Sequence, residues 1–283
     1  MPSLSRLLPL VAAMASPAPV LAQPSPTAVA QPSYADLADL VLAAPVIGDA
    51  TIRSTVRLKG ADVAGVAPGL VRLYVEADVT QLIRGADGLP RRVGWLYDVR
   101  PDARGKLPQF KKARVLLFAR ATASPGQLQL VASDAQLPWS AAADAQVRAI
   151  AREALAAEAP PRLTGVGNAF HVPGALPGEG ETQVFLQTAD NRPVSLSVLR
   201  RPGERSRWAV ALSEIVDEAA APPARDTLLW YRLACSLPPA LPARSTVGVA
   251  PEDAAKAAED YRFVLDQLGP CGRTRPTAGA APG

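Results

Sequence analysis

The chain has 283 residues, of which 48% are apolar and 20% charged, with a formal net charge of +4 at pH 7. That apolar fraction is enough for a sizeable core and excludes an intrinsically disordered chain. With a single histidine, a catalytic triad, a histidine-based zinc site or a histidine relay has that one residue to draw on.

The first residues read as a secretory signal peptide over 1–22. Arg6 supplies the positive charge, Leu7 to Ala15 a short apolar stretch, and Val20-Leu21-Ala22 the small side chains of a cleavage site. Ala28-Val29-Ala30 is a second site further along. No cysteine follows either site and there is no twin-arginine pair. The apolar run is too short for a permanent membrane span, so the expected location is periplasmic or secreted. Residues 23–32 follow as a Pro/Ser/Ala linker without periodicity.

Ser33 is placed to cap a short helix through Tyr34–Leu40, and Pro45 ends it. Strands are expected next. Thr51–Leu58 alternates apolar and polar residues. Val71, Leu73, Val75, Ala77 and Val79 alternate with Arg72, Tyr74, Glu76, Asp78 and Thr80, a period of two that gives one wet face. Val93, Trp95, Tyr97 and Val99 repeat it. Arg114–Ala119 is a continuous apolar run, hence a more buried strand, and Ser124-Pro125-Gly126 turns it toward Leu128–Ala132. At Ser140 the period changes: Val147, Ile150, Ala151, Ala154 and Leu155 form one helical stripe, which Pro160-Pro161 ends.

The second half is again strand-rich. Thr182–Thr188 and Val194–Leu199 flank Asp190-Asn191-Arg192-Pro193, a hairpin signal, and Trp208–Ile215 follows the turn Arg201-Pro202-Gly203. Thr227–Leu237 favours a strand, with a helix as the alternative because Leu229, Leu233 and Leu237 share helical spacing. Pro251-Glu252-Asp253 opens a helix to Leu268, stopped by Gly269-Pro270. The expectation is therefore a mainly β protein with a few helices (α+β). A barrel module with a C-terminal helix would occupy 33–160 and a second β-rich module with its own helix 161–272. A disordered tail would fill 273–283.

The order of the first half resembles a known architecture. A short helix carrying Ala38-Asp39-Leu40-Val41 leads into a strand. YVEADVTQLIRG (Tyr74–Gly85) and KARVLLFAR (Lys112–Arg120) follow. This resembles small OB-like barrels of netrin or tissue-inhibitor type in bacterial exported proteins, and the whole chain resembles exported Gram-negative proteins. The disulfides of the animal members are missing, so the resemblance implies a barrel and not an inhibitor role.

Cys235 and Cys271, alone in an oxidising compartment, are expected to form one disulfide. There is no phosphate-binding loop, HExxH, EF-hand or GxSxG motif, and Gly165-Val166-Gly167 lacks the third glycine of a dinucleotide loop. No catalytic residue, metal site or cofactor is assigned. His171 is retained as a polar site: an ordinary strand-end histidine, or a catalytic one if Ser195 or Ser197 and an acid stand near it. Asp98 with Asp102, or Glu214 with Asp217 and Glu218, are the carboxylates open to glycoside chemistry. The acidic turn Gly178–Glu181 reads as solvated.

Charge is unevenly distributed. Between Arg84 and Arg120 ten basic residues stand against three acidic ones, a net +7. Arg91, Arg92, Arg100, Lys106, Lys111 and Lys112 are the candidates for an anion-binding face. The expected function is a non-catalytic envelope binding or interaction module. Its partner would be an anionic envelope component or another periplasmic protein; export argues against nucleic acid. The alternative is an envelope hydrolase using carboxylates, or His171 with a serine.

Overall fold

The computed structural model describes residues 31–213 and 220–275. The expected signal peptide, residues 23–30 of the linker, the Glu214/Asp217/Glu218 cluster and residues 276–283 lie outside them.

α1 (Tyr34–Ala43) begins where Ser33 and Asp36 cap each other: the Ser33 hydroxyl accepts from the Asp36 N–H, and the Asp36 carboxylate accepts from the Ser33 N–H. The period-two segments then form β1 (Val46–Arg57), β2 (Val71–Arg84), β3 (Arg92–Val99), β4 (Arg114–Ala121) and β5 (Gln127–Leu130). They close in the order β1-β2-β3-β5-β4, with β4 returning to β1. The result is a closed five-stranded mixed barrel of OB-like kind, parallel at β3–β5 and antiparallel elsewhere. β6 (Gln136–Pro138) pairs antiparallel with β4 at Val115–Leu117.

Strand alternation fills the barrel. Ile52, Leu73, Val75, Val93, Trp95, Val115, Leu117 and Leu128 point inward, and the Trp95 indole N–H donates to Gln136 Oε1 at 2.9 Å. The long β3–β4 connection plugs the interior with Leu107 and Phe110, whose ring meets Tyr97 edge-on at 5.8 Å. Closure at β1–β4 is reinforced by Asp49, fully buried, which accepts a fork from Arg114; that guanidinium lies 3.7 Å above the Trp139 ring.

α2 (Ala141–Leu155) is capped by Ser140 and buries Ala143, Val147, Ile150 and Ala151. An antiparallel sheet follows in the order β10-β9-β8-β7, from β7 (Leu163–Pro173), β8 (Gly180–Thr188), β9 (Val194–Arg200) and β10 (Arg207–Ala211). α3 (Leu228–Ala234) stands where a strand was favoured. Thr227 caps it by accepting from the Trp230 N–H, and helical spacing lets Leu228, Trp230, Tyr231 and Leu233 all bury. α4 (Pro251–Leu268) packs on β7 and β8.

From Pro32 onward the chain clusters as one compact unit. One apolar core joins α1, the outer face of β4 (Leu116, Phe118), α2, the inner face of the second sheet, α3 and α4. The fold is thus mainly β with four α-helices among the described residues, a barrel plus a separate four-stranded sheet. None of these helices is long and apolar enough to cross a membrane.

Candidate functional site

The polar cluster with the most chemistry lies between the second sheet and α4. His171 on β7 pairs with Thr182 on β8, so both project to the same, inner face. The Thr182 hydroxyl donates to Asp260 Oδ2 of α4 at 2.5 Å, and His171 Nδ1 lies 2.9 Å from Thr182 Oγ1. Because the hydroxyl proton goes to the carboxylate, the threonine oxygen accepts from Nδ1–H, which assigns the tautomer. Arg200 Nε, from the end of β9, donates to Asp260 Oδ1 at 2.5 Å, and its Nη2 also reaches Glu259 at 3.1 Å. The His171 side chain is 8% exposed and that of Asp260 0%. Gly180 beneath the ring is required: a Cβ there would fall 2.6 Å from His171 Nε2.

The catalytic version of this site needs a serine on the same face. Ser197 pairs with Gln183 and Ser195 with Phe185, the positions that alternate with Thr182. Strand parity therefore directs both serines to the face opposite His171. What remains is a buried carboxylate satisfied by a hydroxyl and a guanidinium, which locks α4 onto the sheet.

A different kind of site lies on the barrel. β3 and β5 match at only two positions, Gly94–Gln127 and Trp95–Leu128. Beyond them the seam opens into a cleft of about 550 Å³ lined by Arg72, Tyr74, Leu96, Asp98, Gln127 and Gln129, among others. Arg72 and Asp98 form a two-bond fork, 2.8 and 2.9 Å, along one wall. Tyr74 lies across Gly94, where a Cβ would fall 2.6 Å from its Cζ, and its hydroxyl accepts from Gln127 Nε2 at 2.8 Å. It thereby staples the parallel seam from outside. Leu96 is 49% exposed at the cleft. Of these residues the sequence points only to Asp98, and as a glycoside-type carboxylate rather than as a cleft wall. The available signal was an aromatic at a wet position of a period-two strand.

The candidate anion face is spread over the barrel. Arg91 and Arg92 sit at the start of β3 and Arg100 just past its end, about 26 Å of strand away. Lys106 lies in the plugging loop, and Lys111 and Lys112 precede β4. All six are exposed. Arg92 lies 3.6 Å from Asp78; the other five form no ion pair among the described residues.

Of the carboxylates put forward for glycoside chemistry, Asp98 and Asp102 are occupied; Glu214, Asp217 and Glu218 lie outside the described residues. Asp98 is held by Arg72, and Asp102 accepts from the N–H groups of Arg104 and Lys106 in its own turn. Glu179 accepts from the Leu176 N–H and Glu181 from Gln183, as in a solvated turn. Among the described residues no group of three or more histidine, cysteine, aspartate or glutamate side chains is placed to hold a metal. Gly165 and Gly167 lie within β7 and not at a helix entrance. Trp208, Trp230 and Tyr231 are core.

Cys235 and Cys271 stand at disulfide distance, Cα atoms 4.9 Å apart. Cys235 is the C-cap of α3, so the pair ties a helix end, not a strand, to the segment after α4. Arg273–Arg275, expected as the start of a disordered tail, are bonded instead. The Thr274 hydroxyl and the N–H groups of Thr274 and Arg275 donate to Asp36, Arg273 forks onto Asp39, and Arg275 pairs with Asp134. Among known proteins, no family model matches the chain and no curated protein does either.

Proposed function

We propose that the chain is an exported, non-catalytic binding module whose contact surface is the cleft at the β3–β5 seam. The observation that carries this reading is the seam itself: two matched positions, then an open groove walled by an aromatic, two glutamines, a half-exposed leucine and an ion pair. Amide and guanidinium groups beside apolar surface suit an extended chain bound along a strand edge. The likeness of the first half to netrin- or tissue-inhibitor-type barrels supports the reading, as do the signal-peptide pattern at Arg6–Ala22 and the cysteine pair for a periplasmic or secreted location. The bonding of Asp98 and Asp102 and the serines turned away from His171 support binding over hydrolysis.

A second reading, an anionic envelope partner, rests on the exposure of Arg91, Arg100, Lys106, Lys111 and Lys112 without ion pairs among the described residues. Affinity capture from periplasm with the intact protein as bait separates the two. Leu96→Asp should weaken retention of the captured partner about tenfold, while Lys111→Gln/Lys112→Gln leaves it unchanged. Capture that survives Leu96→Asp and is lost with the lysines would sink the cleft reading.

A further inference from the structure

β3 has a free edge inside the barrel cleft. The Val79 N–H donates to the Arg91 carbonyl on the β2 side, and the Gly94 N–H donates to the Gly126 carbonyl on the β5 side, each at 2.9 Å. The main-chain groups of a strand alternate between its two neighbours. The odd-numbered residues of β3 therefore bond to β2, while Gly94, Leu96 and Asp98 turn theirs toward β5. Matching to β5 ends at Trp95–Leu128. Past that point the Leu96 C=O and the N–H and C=O of Asp98 face the cleft, and among the described residues no hydrogen bond reaches them.

Free edges are commonly blunted by charge, proline or a bulge. This one is not. Leu96 is 49% exposed, and the Asp98 charge is neutralised by the Arg72 fork at 2.8 and 2.9 Å. Leu96 lies opposite Tyr74, and Asp98 opposite Arg72, so the surface beside the edge is apolar and aromatic at one end and a neutral ion pair at the other. Acceptors and donors that repeat every two residues, about 7 Å, are matched by the main chain of another extended polypeptide. A saccharide would be read by side-chain groups, and here those are bonded in pairs, Tyr74 with Gln127 and Arg72 with Asp98. With the cleft as the contact surface, the reading on which this rests, we infer that its occupant is a polypeptide segment added as a strand to β3. Main-chain hydrogen bonds at Leu96 and Asp98 hold it, and an apolar side chain of the segment covers Leu96 and Tyr74.

The probe is a peptide selected on the intact protein from a random-peptide phage library, then synthesised, labelled and titrated by fluorescence anisotropy. Leu96→Asp should weaken its binding about tenfold. N-methylation of the peptide, one residue at a time, should weaken binding about fivefold at alternate residues of the bound stretch and by less than about twofold at those between, because one edge of an added strand faces β3. Asp98→Pro removes a donor that the β2–β3 ladder does not use, and should weaken binding about fivefold more than Asp98→Ala, which keeps the N–H. The methylation profile is read on the unaltered protein, so it stands even where the proline variant fails to fold. A profile without the two-residue period, with Leu96→Asp still effective, would overturn strand addition and leave the cleft as a surface for a ligand read by side chains, such as a saccharide. Selection of no peptide would overturn strand addition as well. Binding indifferent to Leu96→Asp would overturn both the added strand and the cleft.

Discussion

Asp36 does two jobs with one carboxylate. It closes the cap of α1 through the Ser33 N–H, and it anchors the far end of the chain through Thr274 and Arg275. Burial alone would raise its pKa; hydrogen bonds from the Thr274 hydroxyl and from the backbone of Arg275, Thr274 and Ser33 outweigh that and bring it down from 3.8 to about 2. Because the folded value lies below the unfolded one, the folded state binds fewer protons in this window. Its contribution to stability is full above about pH 4 and is lost as pH falls toward 2. Thr274→Val removes one donor to the carboxylate. It should cost about 1–2 kcal/mol at pH 7 and move the midpoint of acid unfolding, followed by circular dichroism, to higher pH. An unchanged acid limb would show that the clasp is not formed in solution. The same scale explains His171. Its neighbours in sequence say nothing of Asp260, which lies on another element, and pairing with Thr182 decided which face the ring takes.

At the scale of elements, Thr227–Leu237 carries two conflicting signals. TLLWYRLACSL has β-favouring composition and helical leucine spacing at once. Apolar residues on every side suit either a buried strand or a buried helix, and the Thr227 cap with the surrounding core decided for the helix. β7 is only partly legible in the sequence, because Gly165, Gly167 and a register shift between Val166 and Ala169 interrupt its alternation. The cysteine pair closes a segment with a sequence separation of 36 that contains α4. It also delivers Arg273–Arg275 to α1. Replacing both cysteines by serine should lower stability by about 3–4 kcal/mol in urea unfolding, and should raise tryptic cleavage after Arg273 as the clasp loosens. A loss below about 1 kcal/mol with no new cleavage would mean that the pair does not hold the C-terminal segment.

For the whole molecule, the barrel has its own interior, while a second core is shared between the outer face of β4, the four-stranded sheet and all four described helices. Trp230 illustrates the sharing: its indole donates to the Leu268 carbonyl of α4 at 2.9 Å while its ring meets Tyr34 of α1 edge-on at 6.2 Å. The proposed export predicts that the protein is recovered outside the cytoplasm with Gln23 as its first residue. Mass spectrometry of the purified native protein checks this; an intact Met1 in the cytoplasmic fraction would overturn it.

The barrel strands, the β8–β9 and β9–β10 turns of the second sheet, α1, α2 and α4 and the cysteine partnership were all legible in the sequence. Each is encoded by local signals: a period of two or near four, a capping residue, a Pro/Gly stop, a count of two cysteines. Three features emerged only in the folded molecule. The β3–β5 cleft depends on where a parallel seam stops, which alternation cannot express. The His171–Thr182–Asp260–Arg200 cluster joins residues up to 89 positions apart. The bonding of Arg273–Arg275 to α1 links the two ends of the described chain. In each, the partner is chosen by strand register and helix packing, and those are long-range consequences of burying one apolar core.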